Sequence, residues 1–158
     1  MTRTFTIPRY QSLEPALQIK LVEPSLTADN LGHKTWLASY LLARRLPHLI
    51  ANSVIPSPDH PLRILELGSG TGLLGITAAA LYPTAQTRLT DLPPIVDNLA
   101  QNVLANASLF EDNKPTVDVL DWSTTREKAR ANSYDLILVS DPLVSLTRSP
   151  SPTTYPTL

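Results

Sequence analysis

The sequence predicts an α/β fold, a doubly wound and mainly parallel sheet with helices on both faces. Three observations carry that expectation. Short apolar segments alternate with helical ones from Leu62 to Ser140. Four of the five glycines fall between Gly68 and Gly75, in the first strand-to-helix connection of that series. The run Leu136-Ile137-Leu138-Val139 is unbroken, as in a strand covered on both faces. Strand and helix in strict alternation is the pattern of parallel strands joined by right-handed crossovers. With 158 residues there is chain for about one domain, and 42% hydrophobic against 17% charged residues is enough to bury a core.

Residues 1–31 are mixed, with Pro8, Pro15 and Pro24 too closely spaced for a long helix. Leu17–Val22 reads as one short strand. From Lys34 to Leu46, Trp36, Leu37, Tyr40, Leu41 and Leu42 recur at three- and four-residue spacing, which predicts a helix that Pro47 stops. A Pro- and Ser-containing link follows over 51–61. Leu62–Leu67 is the first strand of the alternation, and Leu73–Tyr82, ended by Pro83, is a buried helix. Gln86–Thr90 is the second strand. Pro94–Ala107 is a helix with proline in its first turn, where the missing N–H costs little. Val117–Leu120 is the third strand, Ser123–Arg130 a short polar helix, and Tyr134–Ser140 the fourth strand. Of the 14 residues from Ser145 to Leu158, ten are Ser, Thr or Pro, a disordered tail. The expected organisation is an N-terminal segment over 1–31, a ligand-binding domain over 32–144 and the tail over 145–158.

Charge and composition narrow the function. Thirteen basic and 14 acidic residues give a net charge of -1, which argues against a polycationic nucleic-acid binder. With no cysteine there is no disulfide frame, thiolate metal site or cysteine nucleophile. The three histidines lack any metal-ligand spacing. No run approaches the ~18 apolar residues of a membrane span, and Met1–Gln11 lacks a signal-peptide core. The expectation is a soluble cytoplasmic protein with no metal, no direct nucleic-acid contact and no membrane contact.

The segment Ile64-Leu65-Glu66-Leu67-Gly68-Ser69-Gly70-Thr71-Gly72 runs from a strand through a tight turn to a helix. Glycines there let a ligand lie against the backbone, and the helix start offers unpaired N–H groups. A dinucleotide fingerprint needs its third small residue three positions after the second glycine, and that position is Leu73. Glu66, just before the turn, disfavours a pyrophosphate and suits a cationic ligand without phosphate, such as S-adenosylmethionine. Asp91, 23 residues after Gly68, ends the neighbouring strand, where an acid can accept ribose hydroxyls. The plainer alternatives are a structural glycine turn and a turn-capping aspartate. The combination in one strand-loop-helix context favours nucleoside binding.

These motifs together resemble the class I S-adenosylmethionine-dependent methyltransferases, specifically the family 16 group of protein-lysine methyltransferases. Leu65 to Leu73 is similar to the family's cofactor loop nearly letter for letter. Gly32-His33-Lys34-Thr35-Trp36-Leu37-Ala38-Ser39, Leu89-Thr90-Asp91-Leu92, Leu120-Asp121-Trp122 and Val139-Ser140-Asp141-Pro142-Leu143 resemble its flanking elements. Leu26 through Trp36 looks closest to fungal members that modify translation elongation factors. The similarity covers about residues 17–143.

The resemblance implies a Rossmann-like fold, S-adenosylmethionine as cofactor and a protein substrate, with a translation elongation factor as the candidate. It implies that Gly68, Ser69, Gly70 and Gly72 lie beneath the cofactor with Glu66 near its ammonium. Trp36 would cover its methionine end, Asp91 bind its ribose, and Trp122 pack on adenine. Asp121 and Ser140 would reach the adenine edge or the methyl region. Asp141 would shape the lysine channel, although the tyrosine three positions later in the family is Val144 here. Three further strands and a hairpin would follow in the family, so the sheet is expected to lack its last strands. Two classes of function stand: a protein-lysine methyltransferase, and a non-catalytic remnant that binds cofactor or a partner. A nicotinamide oxidoreductase is a distant third, because Leu73 breaks the fingerprint.

Overall fold

The computed structural model describes residues 1–9, 13–24, 34–53, 61–110, 113–121 and 134–140. In chain order these form strands β1 (Thr2–Ile7) and β2 (Leu17–Val22), helix α1 (Leu37–Ser53), strand β3 (Arg63–Leu67), helix α2 (Leu73–Leu81), strand β4 (Gln86–Asp91), helix α3 (Pro93–Ala105), a 3-10 turn (Ala107–Leu109), and strands β5 (Thr116–Val119) and β6 (Leu136–Val139). The fold is α/β: a four-stranded parallel sheet in the order β5-β4-β3-β6, flanked by helices, beside a separate antiparallel pair β1-β2.

The chain leaves β3, adds β4 and β5 on one side, then crosses back to place β6 on the other edge of β3. Strand order therefore reverses between β3 and β6. In open α/β sheets the crevice at the carboxyl ends of strands flanking such a reversal takes the ligand. The glycine loop leaves β3 there.

Helix α2 is apolar all round, and Leu73 through Ala80 are buried without exception, the mark of a helix enclosed on every side. It lies with α3 over the sheet face made by Ile64, Glu66, Thr87 and Leu89, and α1 packs along its flank. The other face carries Leu65, Leu67, Ile137 and Val139. There the expectation for β6 is corrected: Ile137 is 55% exposed and Val139 41%, so among the described residues only its Leu136–Leu138 side is covered. The polar helix expected at Ser123–Arg130 lies outside the described residues, as does the 145–158 tail.

Two further expectations change. The N-terminal segment holds two strands where one was expected. Thr4 to Ile7 alternate exposed and buried, and Phe5 and Ile7 join Leu17, Ile19 and Leu21 in a face packed on the helices. Helix α1 starts at Leu37, three residues later than expected, and runs through Pro47 to Ser53. Proline inside a helix removes one backbone hydrogen bond and crowds the preceding turn, costing about 3 kcal/mol. Ala43, Leu46 and Pro47 are all buried, so packing of that face outweighs the local break.

Side-chain amides join β2 to α3 and its C-terminal end. Val22 N–H donates to Asn102 Oδ1 at 2.7 Å, and Lys20 N–H donates to Asn106 Oδ1 at 2.9 Å. Asn106 Nδ2 returns a bond to the Lys20 carbonyl at 2.7 Å, and Asn102 Nδ2 to that of Val22 at 3.3 Å. Four residues apart, Asn102 within α3 and Asn106 capping its end, the two asparagines thus meet the peptide groups that β2 turns away from β1, as a neighbouring strand would.

Candidate functional site

The turn from β3 into α2 is fixed by backbone geometry that side chains resist. Gly68, Gly70 and Gly72 have φ of 65°, 56° and 89°, all left-handed. Gly72 caps α2, and a Cβ there would sit 2.5 Å from Leu99 Cδ1. Gly72 N–H donates to the Ser69 carbonyl at 2.8 Å, closing the turn.

The end of β4 staples this loop in place. Ser69 N–H donates to the Thr90 carbonyl (3.0 Å) and Thr90 N–H to Ser69 Oγ (3.1 Å). Thr90 Oγ1 donates to the Glu66 carbonyl (2.6 Å). Asp91 Oδ2 accepts from Gly70 N–H (2.6 Å), and Asp91 Oδ1 from Leu92 N–H (2.7 Å). Ser69 and Asp91, both expected at a ligand, are thus also what shapes the loop. An ionised carboxylate has about four lone-pair directions, so two backbone bonds leave Asp91 with acceptor capacity. Its main chain extends the frame, because Leu120 N–H donates to the Asp91 carbonyl at 2.9 Å and sets Asp121 beside it.

Glu66 lies at the base of the loop. Its side chain turns under α2, the residue is 1% exposed, and Oε2 accepts from Gly75 N–H at 3.1 Å. Burial pushes its carboxyl up to about 8, against the lowering effect of Ser69 and the Gly75 N–H, with the Asp91 charge adding to the rise. Glu66 supports the loop from beneath, a role that the position of an acid before a glycine turn does not reveal.

Sequence reasoning also missed Glu23, Thr35, Thr71 and Asn102. Glu23 is 1% exposed at the end of β2. Lys34 Nζ (3.1 Å) and Arg3 Nη1 (3.4 Å) pair with it, and Thr35 N–H donates to it at 3.1 Å. Burial alone would raise its carboxyl; the bonds from Thr35 and Lys34 and the charge of Arg3 outweigh this and hold it below the usual carboxylate range. The hydroxyls of Thr35 and Thr71 pair at 2.7 Å, and Asn102 Nδ2 donates to the Thr71 carbonyl at 3.0 Å. Trp36 follows directly, 40% exposed. The structure therefore gathers Trp36, Glu66, Gly68, Ser69, Gly70, Gly72, Asp91 and Asp121 around one strand end. Ser140, half-buried, follows β6 on the adjoining edge, whereas Trp122 and Asp141 lie outside the described residues.

A second concavity, of about 360 Å³, opens at the opposite, amino-terminal end of the parallel strands, lined by Arg63, Gln86, Arg88, Lys114 and Tyr134. Two of its cations are already answered, Arg63 by Asp135 (3.1 Å) and Arg88 by Asp118 (2.8 Å). The glycine loop is the stronger site. Its described side-chain partners are Asp91, Asn102, Thr35 and Ser69, none of them cationic, and the Asp91 carboxylate suits a ligand bearing hydroxyls or positive charge.

A reversed parallel sheet with a left-handed glycine turn at its switch point and an acid ending the next strand defines an α/β protein of the open-sheet class, in which that crevice takes the ligand. The chain belongs to the lysine methyltransferase family, whose model matches residues 14–147. It is 38% identical over 159 residues to the protein-lysine N-methyltransferase EFM2 of Saccharomyces cerevisiae, covering 89% of this chain and 37% of that protein. It is 40% identical over 121 residues to the protein-lysine N-methyltransferase rrg1 of Schizosaccharomyces pombe, covering 74% and 37%. It is 38% identical over 79 residues to EEF1A lysine methyltransferase 3 of Xenopus tropicalis, covering 50% and 33%. The chain thus spans little more than a third of the length of the curated relatives it matches.

Proposed function

We propose that the chain acts in protein-lysine N-methylation with S-adenosylmethionine as methyl donor and a translation elongation factor as protein substrate. The observation that carries the reading is the glycine loop stapled to Asp91, with acidic and neutral groups around it. The names of the relatives support the reaction class, and that of the Xenopus relative supports the substrate. The absence of cysteine suits a cytoplasmic setting, which the reading includes.

S-adenosylmethionine would supply an electrophilic methyl group to a neutral lysine amine. The chain's own contribution is placement, since holding two reactants in line removes most of the entropic barrier. Gly68 and Gly70 put no side chain at their own positions, so a ligand can approach the backbone there. Asp91 offers its remaining acceptor directions to ribose hydroxyls while holding Gly70. Trp36 presents an aromatic face beside Thr35, suited to covering an apolar or cationic end of the ligand. Asp121, Trp122 and Ser140 belong to the adenine end of this reading, and Asp141 to the lysine end.

Titration calorimetry with S-adenosylhomocysteine and with NAD tests the cofactor. Binding of the former and none of the latter is expected; comparable NAD binding overturns the reading. Transfer of a tritiated methyl group to elongation factor tests the substrate. Cofactor binding without transfer to any protein would select the non-catalytic alternative.

A further inference from the structure

Thr71 is held from two directions, and both holds lead back to consecutive residues at the end of β2. Its carbonyl accepts from Asn102 Nδ2 at 3.0 Å, while Asn102 Oδ1 accepts from Val22 N–H at 2.7 Å. Its hydroxyl pairs with Thr35 Oγ1 at 2.7 Å, while Thr35 N–H donates to Glu23 Oε1 at 3.1 Å. Thr71 and Asn102 are 2% and 0% exposed, so neither bond has bulk water as an easy replacement. Thr71 stands between Gly70, which Asp91 grips, and Gly72, which starts α2.

We infer that Thr35 and Asn102 are positioning residues for the cofactor loop, and that the β1-β2 sheet is a working part of the site through this double grip on Thr71. This rests on the reading of the loop as the cofactor site. Three glycines in the left-handed region give the unbound loop many alternative conformations. A loop held in one of them binds without first paying to be ordered. The grip reaches the same residues that lead into Trp36, so the loop and the aromatic face beside it share one anchor, Glu23. Neither residue needs to touch the ligand.

The test uses the full chain and two nearly isosteric changes, Thr35→Val and Thr35→Ser, with Asn102→Ala as a third. Dissociation constants for S-adenosylhomocysteine come from calorimetry, loop opening from amide hydrogen exchange over 66–76, and global stability from thermal melts. Thr35→Val is expected to weaken binding about 3- to 10-fold, the size of one net hydrogen bond. It should also speed exchange in the loop while leaving exchange in β4 close to wild type, with a fall of a few degrees in the melting midpoint, because the same hydroxyl also bonds the buried Glu23. Thr35→Ser, which keeps the hydroxyl, should restore both. Asn102→Ala should lower affinity and the melting midpoint together, because it also frees Val22. Unchanged affinity and loop exchange in Thr35→Val, in a chain that binds the probe, overturns the inference alone. A parallel loss of stability across β4 also overturns it, by making Thr35 a general packing residue. A wild-type chain that binds no S-adenosylhomocysteine overturns the reading of the site and this inference with it.

Discussion

Gly75 offers the sharpest check on how α2 meets the sheet. It is buried within α2, and a Cβ built on it would land against Glu66 Oε2 and 2.8 Å from Leu89 Cγ. In an open helix Gly→Ala would stabilise by about 1 kcal/mol, since alanine is the better helix former. Here overpacking opposes this with about 1–3 kcal/mol. The Gly75 N–H bond to a buried carboxyl is disturbed as well, worth about 1–3 kcal/mol when left unmade. The net for Gly75→Ala is a loss of about 1–5 kcal/mol. At about 2–4 °C per kcal/mol for a chain of this size, the midpoint should fall by roughly 2–20 °C. Thermal unfolding followed by circular dichroism measures it. An unchanged or raised midpoint would refute the reasoning, because helix propensity would then have won and α2 would not be tight against β3. In a Glu66→Ala background the same change should cost less; strict additivity would show that the carboxyl is not what crowds the site.

Glu66 also makes stability depend on pH. Its folded pKa of about 8 lies above the ordinary 4.5, so the folded chain keeps a proton that the unfolded chain releases. This contribution is whole below about pH 4.5, declines as pH rises to about 8, and is level above that. Urea unfolding from pH 5 to 9 should show the decline, on the order of a few kcal/mol, and Glu66→Gln should flatten it; a wild-type profile that rises through this window would contradict the buried neutral carboxyl. Asp91→Ala should weaken S-adenosylhomocysteine binding by about 1–3 kcal/mol in calorimetry, the scale of a lost charge-assisted hydrogen bond, with the far-ultraviolet spectrum kept. Trp36→Ala should weaken it several-fold while shifting the melting midpoint by under about 2 °C, because the ring is 40% exposed and substitutions at such positions cost little. A large midpoint shift there would make Trp36 a packing residue.

What the sequence reveals of this molecule is what depends on local pattern. β3, α2, β4 and α3 fall within two residues of their expected limits, since apolar runs and prolines mark them directly. The glycine loop and Asp91 are legible because tight backbone approach restricts residue type. The misreadings share one cause, which is tertiary contact. Thr4-Phe5-Thr6-Ile7 alternates in plain sight, yet only docking against the helices gives Phe5 and Ile7 a buried face. Pro47 signals a helix end until packing at Ala43 and Leu46 outweighs it. Asn102 and Asn106 read as the polar side of an amphipathic helix, and nothing local says that the edge of β2 will lie across them.

The same dependence explains why the site is economical in residues. Ser69, Thr90 and Asp91 spend part of their polar capacity on the loop itself, so the shape of the site and its chemistry come from one set of groups. A ligand that engages Asp91 therefore meets a carboxylate already oriented by Gly70 and Leu92, with little rotational freedom left to lose. Binding to such a frame also feeds back on the fold. A ligand held only by the folded chain adds RT ln(1 + [L]/Kd), about 2.7 kcal/mol at one hundred times Kd. Loop, β4 end and N-terminal pair are coupled through Ser69, Asp91 and Thr71, so that gain is shared by both sheets. Saturating S-adenosylhomocysteine should accordingly slow hydrogen exchange in β2 as well as in residues 68–72. Protection confined to the loop would mean that Asn102 and Thr35 do not transmit it.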